Sequence, residues 1–121
     1  MKRILLVDDE ASVLAALQRV LRSRYGAAVH CEAYTDALAA LQRCREHEFD
    51  IVVADLRMPE IDGIAFLSLL GAVRPHAVRL LLTGAADFAT AQRAINEAGV
   101  FRYLRKPWLD AELLAHLDAA F

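Results

Sequence analysis

Short apolar runs alternate along the chain with longer stretches whose apolar positions recur every three or four residues. The run over 3–7 is nearly continuous and predicts a strand buried on both faces. Over 11–24, Val13, Leu14, Leu17, Val20 and Leu21 fall on one face of a predicted helix. Val29, Cys31 and Ala33 alternate with His30 and Glu32, as in a half-exposed edge strand, and Thr35 or Asp36 is placed to cap a helix over 37–45. A β-branched run over 51–54 predicts the third strand, a loop follows over 56–62, and a helix over 63–73 is stopped by Pro75. The fourth strand is predicted over 77–82 and the fourth helix over 87–98, with Gly99 at its end. A short fifth strand at 101–104 precedes a last helix, capped by Asp110, whose Leu113, Leu114, Leu117 and Phe121 share a stripe.

Five strand and helix pairs are too few to close an eight-stranded barrel. The pattern therefore predicts an α/β fold with an open, parallel, five-stranded sheet and helices on both faces. Ligands of such sheets bind beyond the carboxyl ends of the strands, so the residues just past each apolar run are the ones to read for chemistry. They are Asp8, Asp9 and Glu10 after the first run, Asp55 after the third, Thr83 after the fourth and Lys106 past the fifth. If the first and third strands are neighbours, roughly 4.8 Å apart, the carboxylates of Asp8, Asp9 and Asp55 come within reach of one ion. A hard divalent cation relieves their repulsion, and Mg²⁺ suits a site of a few carboxylates that keeps room for water and phosphate oxygens, with Mn²⁺ as a substitute. An anionic Asp55 then becomes a candidate nucleophile toward a phosphoryl donor, with the Lys106 ammonium and the Thr83 hydroxyl to hold the transferred oxygens.

Bulk properties narrow the partners. At 121 residues and 57% apolar composition, one domain with a continuous core is expected without disulfides or structural metal. The 14 basic and 16 acidic residues nearly cancel and the basic ones form no stripe, which disfavours direct nucleic-acid binding. Cys31 and Cys44 have no metal-site spacing and read as structural thiols of a reducing compartment. Neither a secretory leader nor a membrane span is recognisable, so a cytoplasmic protein is expected. His30, His47, His76 and His116 show no spacing for a metal site.

Each candidate also has a structural reading. Asp9 or Glu10 can cap the first helix, Thr83 can cap the segment after it, and Lys106 can snorkel from a strand end. Asp55 is harder to explain that way, because it follows four apolar strand residues and precedes Leu56 and Met58. Asp62 and Gly63 read as a turn into the third helix, and Tyr103 as a strand aromatic.

The VDDE run at 7–10, DLRMPEIDG at 55–63, LLT ending at Thr83 and YLRKP at 103–107 stand in the order and spacing of one family. Along its whole length the chain resembles the receiver domains of two-component response regulators. The strand order 2-1-3-4-5 of a flavodoxin-like sandwich comes with that resemblance; the chemotaxis member of the family is a standard example of it. The resemblance implies Asp55 as phosphoacceptor and Lys106 in contact with the phosphoryl group. It implies metal ligation by Asp9 directly, by Asp8 largely through water, and by the Arg57 backbone carbonyl. The Lys106–Pro107 peptide is implied to be cis, an isomer found in about one X–Pro bond in twenty.

The resemblance also implies a switch, in which Thr83 moves toward the phosphoryl group and Tyr103 turns inward. The output surface is then the helix of 87–98, the fifth strand and the last helix, including residues near Phe88, Gln92, Arg102 and Trp108. Phe101 and Arg102 depart from the acidic or small pair common there, and Trp108 from the usual Phe. Arg57 and Ala85 occupy places that in the family influence hydrolysis of the acyl phosphate, and a long Arg57 can fold over the phosphoryl group. The implied partners are a phosphohistidine donor on a histidine kinase or phosphotransfer protein and an output domain or downstream protein, with dimerisation on phosphorylation as a further outcome. Beyond assisting its own phosphorylation and dephosphorylation, the domain is not expected to be an enzyme. It is expected to be one domain over 1–121, cut from a longer protein.

Two other functions fit parts of the pattern. A Mg²⁺-dependent aspartate-nucleophile phosphatase also places Asp after a strand, but needs a general acid where Arg57 stands and a cap domain. An interaction module of the same fold that does without phosphate has no use for Asp8, Asp9, Asp55, Thr83 and Lys106 together.

Overall fold

The computed structural model describes residues 1–84, 87, 89–92 and 99–121. Five parallel strands, β1 (Lys2–Val7), β2 (Val29–Tyr34), β3 (Ile51–Asp55), β4 (Val78–Thr83) and β5 (Val100–Arg105), form one sheet in the order β2-β1-β3-β4-β5. This is the expected flavodoxin-like order, with β2 at an edge. The helices are α1 (Ala11–Tyr25), α2 (Ala37–Glu46), α3 (Gly63–Val73) and a C-terminal helix (Asp110–Ala120). The helix predicted over 87–98 falls mostly outside the described residues.

The central strands are apolar throughout because alternate side chains serve two cores. Ile4, Leu6, Ile51, Val53, Leu80 and Leu82 pack with Leu14, Leu17 and Leu21 of α1 and Leu113 and Leu117 of the C-terminal helix. Leu5, Val7, Val52, Ala54 and Leu81 face the other way, toward Leu41 and Cys44 of α2 and Phe66, Leu67 and Leu70 of α3. Burial on both faces leaves no solvated side to carry polar residues, so a charged residue at the end of such a strand stands out.

Helix ends follow local chemistry. Asp36 Oδ1 accepts from the Leu38 amide at 2.9 Å and caps α2, and Asp62 Oδ1 accepts from the Ala65 amide at 2.8 Å and caps α3. Two capping expectations need correction. Glu10 precedes α1 without any side-chain capping bond, and the C-terminal helix starts after Leu109, with Asp110 inside its first turn. The Asp110 carboxylate instead accepts from Trp108 Nε1 at 3.2 Å.

Cys44 is buried, Cys31 half-buried, and both are free thiols. Burial pushes each up to about 11, which suits packing and not reactivity. Among the described residues no helix is long and apolar enough to cross a membrane.

Candidate functional site at the carboxyl edge of the sheet

Strand register sets the site. Val7 pairs with Ala54, so Asp8 and Asp55 leave the sheet side by side, and Asp55 is itself level with Leu82 on β4. Asp55 and Thr83 are the last residues of their strands, not the first of their loops. The ladder continues past both, through Leu56 N–H to Leu82 O at 2.8 Å and Lys106 N–H to Thr83 O at 2.8 Å. Asp8 and Thr83 are fully buried and Asp55 is 5% exposed, while Asp9 and Glu10 face solvent.

Lys106 joins the two strands. Its Nζ donates to Asp8 Oδ2 at 2.7 Å and lies 3.1 Å from Asp55 Oδ1. The other Asp8 oxygen accepts the Glu10 amide at 2.9 Å, so Asp8 orders the turn after β1 from the inside. The Lys106–Pro107 peptide is cis.

The balance of charge is negative. Burial is the largest influence on the Asp55 carboxyl and raises it above its ordinary value; the Lys106 hydrogen bond opposes this, and the charges of Asp8 and Asp9 add to it. Burial works to lower the Lys106 ammonium, but hydrogen bonds to Asp8 and Asp55 outweigh it and the net shift is upward. Asp8 and Asp55 share one ammonium, and Asp9 adds a further negative charge that acts on Asp55, an excess that a divalent cation would balance. Among the described residues, Asp8, Asp9 and Glu10 place one carboxylate oxygen each within 4.8 Å of one another, an all-oxygen donor set of the kind hard cations take. Glu10 stands in the sequence with the polar residues after the first strand, with capping as its structural alternative, but outside the expected metal ligands Asp8, Asp9 and Asp55. Asp55 stands outside that trio and is linked to it through Lys106.

The remaining expected residues surround this centre. The Thr83 hydroxyl donates to the Gly84 carbonyl at 3.1 Å. Tyr103 is half-buried against the core on the α2 and α3 side. Arg57, two residues past Asp55, turns its exposed guanidinium to Asp87: Nε donates to Oδ2 at 3.2 Å, and Nη2 pairs with Oδ1. The sequence pattern marks Asp87 only as the start of the predicted helix over 87–98 and not as a site residue. Of the expected output surface, Gln92 and Arg102 are exposed, Trp108 is half-buried and Phe88 lies outside the described residues, as does Ala85, the position expected with Arg57 to influence hydrolysis.

Gly63 completes the geometry. A Cβ there would stand 2.2 Å from the backbone oxygen of Asp55, so only glycine lets the start of α3 pass beneath the end of β3. The Gly63 amide closes the loop by donating to Leu56 O at 2.8 Å.

A doubly wound sheet with an acidic cluster and a lysine at its carboxyl edge is the arrangement expected of a phosphorylation-dependent signalling switch. The family model of the response regulator receiver domain matches residues 4–118, and the chain belongs to that family. The hydrogenase transcriptional regulatory protein HoxA of Bradyrhizobium diazoefficiens is 34% identical over 117 residues, covering 97% of this chain and 23% of the relative. The transcriptional regulatory protein ZraR of Escherichia coli is 37% identical over 117 residues, covering 97% of this chain and 26% of the relative. The chain thus spans about a quarter of the length of these curated relatives. The solution structure of the beryllofluoride-activated NtrC4 receiver domain dimer superposes with a TM-score of 0.90 at 30% identity, covering 100% of this chain and 97% of that one.

Proposed function

We propose that Asp55 is the phosphoacceptor of this receiver domain, taking its phosphoryl group from a phosphohistidine on a histidine kinase or phosphotransfer protein. The observation that carries this reading is the Lys106 ammonium shared between Asp8 and Asp55, 2.7 and 3.1 Å away. A buried, electron-rich carboxylate with a cation beside it is a nucleophile for phosphorus, and the same cation meets the incoming phosphoryl oxygens. In the transfer an Asp55 oxygen forms the new P–O bond as the P–N bond of the donor breaks, and the donor imidazole leaves with a proton from solvent. Lys106 then exchanges part of its contact with Asp55 for a phosphoryl oxygen.

Asp8 and Asp9, with Asp55 and the Arg57 backbone carbonyl, are the residues to hold Mg²⁺, for which Mn²⁺ can substitute; Glu10 adds a carboxylate to the same rim. When bound, the cation offsets the charge of both the acceptor and the donor phosphate. The Thr83 hydroxyl, now spent on the adjacent carbonyl, reorients toward the phosphoryl group, and Tyr103 follows inward. The consequence is read on the surface of the segment 87–98, β5 and the C-terminal helix by an output domain or downstream protein. The NtrC4 domain described as beryllofluoride-activated is a dimer, which supports dimerisation on phosphorylation as one form of that output. The setting is cytoplasmic.

Incubation with acetyl phosphate, with and without Mg²⁺, followed by mass spectrometry, tests the reading. One phosphoryl group is expected on Asp55, dependent on Mg²⁺ and absent from Asp55→Asn. Equal labelling of that variant, or labelling at another residue, would overturn it.

A further inference from the structure

Asp87 makes a forked ion pair with Arg57. Arg57 stands on the loop two residues past Asp55, and Asp87 on the segment that leaves Thr83; the Asp87 amide donates to Gly84 O at 3.1 Å. The pair therefore joins the segments that follow β3 and β4, the two strands whose ends carry Asp55 and Thr83. Exposure is unequal: the Asp87 side chain is 13% exposed and that of Arg57 76%. The carboxylate is the more enclosed partner, and the guanidinium stands in solvent on a long stem. Both oxygens of Asp87 are engaged, one by Nε and one by Nη2, a bidentate geometry that fixes the direction of the fork as well as its charge.

We infer that Asp87 is a positioning residue for the lifetime of the phosphorylated state, holding the Arg57 guanidinium on the segment after Thr83 and away from the phosphoryl oxygens. The inference rests on Asp55 as phosphoacceptor. In hydrolysis, water oxygen adds to phosphorus, the P–O bond to Asp55 breaks, and the products are the Asp55 carboxylate and dihydrogen phosphate, which carries both water hydrogens. A guanidinium released from Asp87 has a phosphoryl group two residues away as its next bidentate acceptor. There its planar bulk covers the face that water must approach. Arg57 is thus divided between two anions, and the strength of the Asp87 grip sets how much of it reaches the second.

The experiment follows decay of Asp55 phosphate, formed from acetyl phosphate, in the wild-type chain, Asp87→Asn, Arg57→Ala and the double variant. Asp87→Asn is expected to slow hydrolysis about two- to fivefold, the ratio corresponding to the coupling of an exposed charge pair. In the Arg57→Ala background the same substitution is expected to have no effect, because the group it releases is gone. The difference should shrink at high ionic strength. Asp87→Ala repeats the test if the asparagine variant folds poorly. Decay of Asp87→Asn at the wild-type rate, or an equal effect with and without Arg57, would overturn the role of Asp87 and leave Asp55 as acceptor intact. Failure of the wild-type chain to take phosphate on Asp55 would overturn both.

Discussion

Lys106 Nζ lies 2.7 Å from Asp8 Oδ2, joining two residues 98 positions apart in the chain. Asp8 is completely buried, so this ammonium and the Glu10 amide supply its hydrogen bonds. An ionised carboxylate in that position is tolerated only because a cation neutralises it.

Lys106→Met is accordingly expected to destabilise the domain by about 3 kcal/mol, since it strands a buried charge. For a chain of this size that is a fall of roughly 10–15 °C in the thermal midpoint. Calorimetry in divalent-free buffer checks it. A loss below about 1 kcal/mol, the range of exposed pairs, would mean that water reaches Asp8 when the lysine is removed.

Asp55→Asn is expected to stabilise the fold while abolishing phosphorylation. A carboxyl raised above its unfolded value favours the folded state at low pH, and that advantage is lost as pH rises through the folded value. At neutral pH the ionised Asp55 is therefore a net cost, from burial and from Asp8 and Asp9. Removing the charge should raise the midpoint in divalent-free buffer. A lower midpoint would show that the Lys106 contact outweighs burial.

Gly63→Ala is expected to cost about 2 kcal/mol or more, because its Cβ would stand 2.2 Å from Asp55 O and 2.9 Å from Leu81 Cδ1. One of these clashes is with backbone, which has no rotamer to change. The relief available is a shift of the acceptor strand end, so slower labelling by acetyl phosphate should accompany the loss. Wild-type stability and labelling together would show that α3 can move away freely.

Glu32 should dominate the acid limb of stability. The Arg43 guanidinium binds its two oxygens at 2.7 and 3.0 Å, and with His30 and Tyr34 it outweighs burial and holds the carboxyl at about 2, below its ordinary 4.5. A depressed carboxyl contributes stability above its unfolded value and loses it as pH falls through the folded one. Wild-type stability should therefore fall by at most about 3 kcal/mol between pH 4.5 and 2 on account of this group, and Glu32→Gln should lack that part of the slope. Parallel acid limbs for the two proteins would exclude Glu32 as the cause.

Much of the fold was legible because strand and helix periods are local. Five apolar runs predicted five strands, and Asp36 was one of two candidates to cap α2. The terminal positions of Asp55 and Thr83 were displaced by one residue, since ladder hydrogen bonds come from the neighbouring strand and leave no mark on the run itself. Asp110 looked like a cap from its place before an apolar stripe, but Trp108 Nε1 takes its carboxylate. Glu10 belongs in the sequence to the acidic run after the first strand, with capping as an alternative, and the structure places it in the acidic trio without a capping bond.

What the amino-acid order determined by itself was the inventory: which residues form strands, which faces of the helices are apolar, and which polar side chains are left at the carboxyl ends. Tertiary structure decided who meets whom. The order β2-β1-β3-β4-β5 sets Asp8 next to Asp55, and the return of the chain after β5 carries Lys106 to both. The Arg57 and Asp87 pairing and the passage of Gly63 beneath Asp55 were decided in the same way. The physical reason is range: propensity and periodicity act over a few residues, whereas charge balance and steric exclusion act between groups that only the folded chain brings within a few ångströms.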